Sequence, residues 1–194
     1  VETLSTALTN GWAWKIPLTN RFGNGYVFSS QYCSPDEAET ELRAHLGVLD
    51  SDVAARHLKM KVGRAQESWS KNCLAVGLSQ GFIEPLEATA LQFVYSTIDQ
   101  FAQALEQGDF TNEHREAFND QMNANFEGIR DYIVLHYKTN SRSDSQYWID
   151  NRENQKISEN MKYGQSITDA CMGWEDTVMC LEKLNDSIVT KRGK

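Results

Sequence analysis

The chain has 194 residues, 40% of them apolar and 24% charged, a balance that supports a folded core and argues against disorder. Its net charge of −8 argues against nucleic acid as a partner, because phosphate binding needs clustered lysine and arginine. The one basic cluster, Lys191-Arg192-Gly193-Lys194, reads as a solvated tail. No apolar run approaches the ~20 residues that a membrane helix requires, and no signal-peptide pattern is present. Cys33, Cys73, Cys171 and Cys180 are scattered, as are His45, His57, His114 and His136. The expectation is reduced thiols in a cytoplasmic protein, with no metal site. A start at Val1 without methionine reads as a piece of a longer polypeptide.

In chain order, Trp12, Trp14 and Ile16 alternate on one face of a strand that Pro17 ends. On periodicity alone the two tryptophans read as core aromatics. Asn20–Gly25 supplies turn residues and Tyr26-Val27-Phe28 a second strand, so a hairpin with a longer than minimal loop is expected. Ser34-Pro35-Asp36-Glu37 is a helix start, with a capping serine, a proline at the first helical position and a glutamate to return the capping bond; Gly47 stops that helix. Residues 58–62 alternate strictly and predict a half-buried strand, followed by another over Cys73–Leu78 with both faces covered. From Leu86 a helix is expected with the stripe Leu91, Val94, Ile98, Phe101 and Leu105, ending near Gly108. Thr111 opens a second long helix, striped by Phe118, Met122, Phe126, Ile129 and Ile133, and the short link makes the pair an antiparallel hairpin. Shorter helices are expected over 147–152, 157–161 and 178–188. The fold class is α+β, with strands before residue 80 and helices after it. Without β-α-β alternation, these few short strands read as the end of a sheet begun upstream.

The chemically informative stretch is 72–91, where a short apolar run passes through Gly77 and Gly81 toward a helix N-terminus. Backbone N–H groups at Thr89 and Ala90 fall in the first helical turn, which suits a small anion. Pro85 disfavours helical geometry at Glu84, so Glu84 is expected outside the helix and Glu87 inside its first turn. Glu87 then reads either as an acid answering the helix dipole or as part of a site. Serine-hydrolase, P-loop, G-x-G-x-x-G and zinc-protease motifs are absent.

Two stretches resemble the flavin-dependent tryptophan halogenases. Gly11-Trp12-Ala13-Trp14-Lys15-Ile16-Pro17 is similar to the W-x-W-x-I-P signature of that family, and Gly23 to Ser30 follows as in its members. Asn72 to Ser79 leads into Phe82-Ile83-Glu84-Pro85-Leu86-Glu87-Ala88-Thr89, similar to the family's E-P-L-E-[S/A]-T turn. Asp131-Tyr132 to His136-Tyr137 and Trp148 to Asn151-Arg152 look like its helical region, and the resemblance fades after about residue 162.

The resemblance implies halogenation of an indole or tryptophan-like aromatic with reduced FAD, O2 and chloride or bromide. By position, Glu87 matches the catalytic, substrate-side glutamate, Thr89 and Ala90 the halide-binding amides, and Leu78 and Leu91 the backbone contacts to the flavin. Trp12 and Trp14 match the aromatics that keep substrate away from flavin, within the signature that Ile16 and Pro17 complete. It further implies strands completing an FAD-domain sheet of flavin-monooxygenase type over 1–84 and a mainly helical substrate region over 85–194. A separate flavin reductase would supply the reduced cofactor, and a homodimer is left open. The family's dinucleotide fingerprint and catalytic lysine have no counterpart here, so the chain alone is expected to be inactive and to need a missing N-terminal part of the same enzyme. Where many tryptophan-specific members carry Ser-Thr-Gly, this chain has Ala88-Thr89-Ala90, which leaves halide preference open and makes simple indole an alternative to free tryptophan. Other readings are a flavin monooxygenase segment and a non-catalytic helical interaction module.

Overall fold

The computed structural model of the chain describes residues 2–157. It opens with a three-stranded antiparallel sheet in the order β1 (Leu4–Leu8), β2 (Gly11–Pro17), β3 (Phe22–Phe28). The expected hairpin is β2–β3, in register from Gly11 opposite Phe28 to Pro17 opposite Phe22. Its connection closes with the Leu18 N–H donating to the Arg21 carbonyl at 2.8 Å. Gly25 faces Trp14 across the ladder, and a Cβ there would stand 2.4 Å from the indole, so glycine is what lets Trp14 lie flat on the sheet. β1 lies in a stretch that carries no recognisable sequence pattern.

Helix α1 (Pro35–Leu46) forms as its signals predict: Ser34 and Glu37 exchange both bonds of a capping box, and Gly47 ends the helix at φ +70°. The alternating residues 58–62 do not form a strand. They lie in an irregular segment with Leu58, Met60 and Val62 exposed. Alternation supplies an apolar row, but a strand also needs a ladder partner and a face to bury, and the described residues offer neither. Instead the segment is tied to α1. Arg43 donates to the carbonyls of Ser51 and Val53 at 3.0 and 2.6 Å, and His57 meets Glu39 at 2.6 Å.

The strand expected over Cys73–Leu78 is also shorter and less buried than its composition suggests. Two-residue ladders pair β5 (Trp69–Ser70) with β6 (Cys73–Leu74) and β4 (Gly63–Arg64) with β7 (Gly81–Phe82). Cys73 is exposed, and Gly77 at φ +64° turns the chain into one turn of 3-10 helix over Gly77–Ser79.

Two long helices follow, α2 (Thr89–Gln107) and α3 (Arg115–Lys138), then α4 (Gln146–Asn154). α3 starts four residues later than its sequence signal, yet its whole predicted stripe is buried. α2 is rotated from expectation: Phe93 and Thr97 are buried, while Leu91 and Ile98 are 77% and 53% exposed. Thr97 turns inward because buried Gln80 needs a partner; its hydroxyl is 3.1 Å from the Gln80 Oε1, and Gln80 in turn donates to Ser68. Phe93 packs on Phe126 and Phe101 on Phe118, so ascending positions on α2 meet descending ones on α3 and the pair is antiparallel.

Trp12 and Trp69 join Phe118, Met122 and Phe126 in one core that spans sheet and helices. α4 returns to the sheet, where the Trp148 indole donates to the Leu8 carbonyl at 2.7 Å and the Tyr32 hydroxyl to Asp150 at 2.7 Å. Apart from Ile157 itself, the helices expected over 157–161 and 178–188 lie outside the described residues, as do Cys171 and Cys180. No helix among the described residues is long and apolar enough to cross a membrane.

Candidate functional site

The site grows from the turn between β7 and α2. Pro85 ends the extended approach, and a tight turn over Leu86–Ala88 leads into α2, which begins at Thr89. Glu84 stays outside the helix, as proline geometry requires. Glu87 does not enter the helix. It and Ala88 hold left-handed backbone at φ +58° and +54°, and neither is a glycine. Such a pair costs of order 1–3 kcal/mol per residue and persists only where packing over-determines it. Leu86, 7% exposed and part of the core, supplies that anchor from within the turn.

The consequence is that the two sides of the turn face different surroundings. On one side a cavity of about 210 Å³ is lined by Gly77, Leu78, Gly81, Glu84, Thr89, Ala90 and Leu91, closed behind by Phe93, Phe126 and Ile129. Leu78 and Leu91 are 82% and 77% exposed at this cavity, an unusual state for two leucines. The N-terminus of α2 opens here without a side-chain cap and without an acidic residue in its first turn. Its first N–H groups therefore have no acceptor within the helix. Glu87 is not part of this lining; it points to α3, where its Oε1 is 3.8 Å from the His136 Nε2. The structure thus gathers Leu78, Thr89, Ala90 and Leu91, and separates Glu87 from them.

Glu84 is the residue whose environment composition conceals. The Tyr137 hydroxyl straddles its carboxylate, 2.9 and 3.0 Å from the two oxygens. The buried Trp12 Nε1 closes no hydrogen bond, but stands near enough to the same carboxylate to favour its charged form. The tryptophan signature and the glutamate turn therefore meet at Glu84. Trp14 packs against the core from the same face of β2, whereas Ile16 and Pro17 lie toward the hairpin end, outside the cavity. Burial pushes the Glu84 carboxyl above its ordinary value of 4.5, against the opposing pull of Tyr137, Trp12 and His136. The neighbouring Tyr137 hydroxyl is pushed up by burial and by the Glu84 charge, and Tyr147 is pushed up to about 12, chiefly by burial.

A carboxyl raised on folding binds more protons in the folded state between 4.5 and its elevated value. Its contribution to stability is complete below 4.5 and is lost as the pH rises through the elevated value. Glu84→Gln keeps an oxygen for Tyr137 to donate to and removes the ionisation. Its stability relative to wild type is expected to climb as the pH rises from 4.5 through the elevated value, read by denaturant titration at each pH. A difference that stays constant with pH would contradict a desolvated carboxylate.

Sequence reasoning missed the roles of Tyr137 and His136. Tyr137 continues the α3 stripe one step beyond Ile133, and a tyrosine on a core stripe needs a partner for its hydroxyl, which was the available signal. His136 carries no comparable signal.

The family model for tryptophan halogenase matches residues 1–172. The chain belongs to the tryptophan halogenase family. It is 43% identical over 151 residues to the 7-chloro-L-tryptophan 6-halogenase KtzR of Kutzneria sp. (strain 744), covering 78% of this chain and 29% of that protein. It is 43% identical over 150 residues to the tryptophan 6-halogenase SttH of Streptomyces toxytricini, covering 77% of this chain and 29% of SttH. The SttH crystal structure superimposes with a TM-score of 0.74 at 41% identity, over 81% of this chain and 32% of that one. BrvH, a flavin-dependent halogenase from Brevundimonas sp. BAL3, does so with a TM-score of 0.73 at 41% identity, over 81% and 32%. The chain therefore spans less than a third of the length of these halogenases.

Proposed function

We propose that this chain forms the halide side and the substrate-facing carboxylate of a flavin-dependent halogenase acting on tryptophan or a simpler indole. One observation carries the reading: Leu78, Thr89, Ala90 and Leu91 share one cavity, while Glu87 lies outside its lining and turns toward His136 of α3. The cavity fits the group the family implies. Two exposed leucines beside Gly77 and Gly81 suit a flat ring system, and the uncapped α2 N-terminus suits an anion.

Reduced FAD, with O2, would supply the oxidising power that converts halide to hypohalous acid. The amides of Thr89 and Ala90 hold halide against the positive end of the α2 dipole. Leu78 and Leu91 would contact the flavin beside that position. Trp12 and the turn wall it off from the substrate side. Glu87, 48% exposed, presents a carboxylate to the cationic ring that electrophilic substitution creates, and takes up the ring proton as aromaticity returns. The division into a flavin-side part over 1–84, completing an FAD-domain sheet, and a substrate-side part over 85–194 belongs to this proposal, as do a separate flavin reductase and a cytoplasmic setting. So does the dependence on a lysine and a dinucleotide fingerprint outside these residues, without which the chain alone transfers no halogen.

The test is to supply the intact enzyme containing this segment with reduced FAD, O2, chloride or bromide, and tryptophan or indole. A product bearing the halogen isotope pattern in mass spectrometry is expected. Hydroxylated product without halogen would replace this reading with that of a monooxygenase.

A further inference from the structure

The last turn of α3 reaches the 84–88 turn with two consecutive side chains. Tyr137 holds Glu84, and its neighbour His136 presents Nε2 to the Glu87 Oε1 at 3.8 Å. The imidazole has a fixed orientation. Its Nδ1 lies 2.9 Å from the Tyr132 carbonyl one turn back, and a carbonyl only accepts, so Nδ1 carries the hydrogen. Nε2 faces the carboxylate and acts on it as a donor when the ring carries a hydrogen on both nitrogens, the form in which this contact is an ion pair. The Tyr132 ring packs edge-on against the imidazole, with centroids 4.8 Å apart, and restricts its rotation further.

Glu87 has no comparable support of its own. It sits in left-handed backbone at φ +58°, with its side chain about half exposed. A long side chain in that setting samples several rotamers unless a partner selects one. We propose that His136 is the positioning residue for Glu87: the locked imidazole selects the carboxylate direction that faces substrate, while the Tyr137–Glu84 contact holds the turn at a constant distance from α3. This deepens, and rests on, the halogenase reading above. The last turn of α3 is thereby the part of the fold that aims Glu87.

The experiment uses the intact enzyme carrying this segment. His136→Leu is expected to lower kcat for halogenation roughly 10- to 100-fold, the scale of a misdirected catalytic group, with KM and flavin oxidation unchanged. His136→Gln, which retains an N–H donor, should recover part of that loss. In nitrogen NMR, both ring nitrogens of wild-type His136 should carry hydrogen, and its Nε2 resonance should shift in Glu87→Gln. A His136→Leu enzyme within about twofold of wild-type kcat would overturn the proposal. So would an Nε2 resonance indifferent to Glu87→Gln, which decides the matter even if the leucine variant fails to fold. Should the wild-type enzyme halogenate no indole, the functional reading falls, and the NMR result still decides whether His136 engages Glu87.

Discussion

Glu87→Gln in the intact enzyme is expected to lose most halogenation, by roughly 100-fold or more, while reduced FAD is still oxidised at the wild-type rate. Glutamine keeps the length and shape of the side chain and removes only the charge and the ability to take a proton. Losing one preorganised electrostatic partner of a developing charge costs about 10²–10³ in kcat. The halide and flavin contacts proposed at Leu78, Thr89, Ala90 and Leu91 line a cavity that Glu87 does not, so they should not register the change. Mass spectrometry of the product and stopped-flow absorbance of the flavin read the two halves separately. Wild-type turnover in the variant would remove Glu87 from the mechanism. Parallel loss of flavin oxidation would mean that the turn had collapsed rather than lost a charge.

Trp69→Ala is expected to destabilise the fold by about 3–5 kcal/mol, the range for removing a fully buried large aromatic. Trp69 is 4% exposed and meets Phe101 and Phe118 edge-on, with centroids 4.9 and 5.9 Å apart, at the junction of α2, α3 and the small ladders. Its backbone is matched on both sides by one side chain. The Trp69 N–H donates to the Asn119 Oδ1 at 2.8 Å, and the Asn119 Nδ2 donates to the Trp69 carbonyl at 2.9 Å. Deleting the ring leaves a void that rigid helices cannot fill, beside polar groups that still need each other. Denaturant unfolding measures the loss. A cost below about 1 kcal/mol would show that α2 and α3 close over the gap, and that this junction is softer than its packing suggests.

Much of the architecture follows from local rules. The α1 cap, the β2–β3 hairpin and the α3 stripe are each specified by residues within one element, and each forms. Glu84 leaves the helix because Pro85 follows it, which is equally local. Expectations failed where a partner outside the element decides. Residues 58–62 carry strand alternation but meet no ladder, and α2 turns Thr97 inward and Leu91 outward because Gln80 and the cavity set its rotation. The two-residue ladders are too short to leave any period to read.

The sequence by itself determined the membership in the tryptophan halogenase family and the order of its two motifs, because those rest on which residues stand at which spacing. It also placed Thr89 and Ala90 at a helix start. Only the tertiary structure decided that Trp12 from one motif meets Glu84 from the other, and that Tyr137, 53 residues further along, holds that carboxylate. Only the tertiary structure turned Glu87 out of the helix and toward His136. The reason is physical. A left-handed glutamate is disfavoured by its own chemistry, and is held there by core contacts made between elements, which no window of neighbouring residues contains.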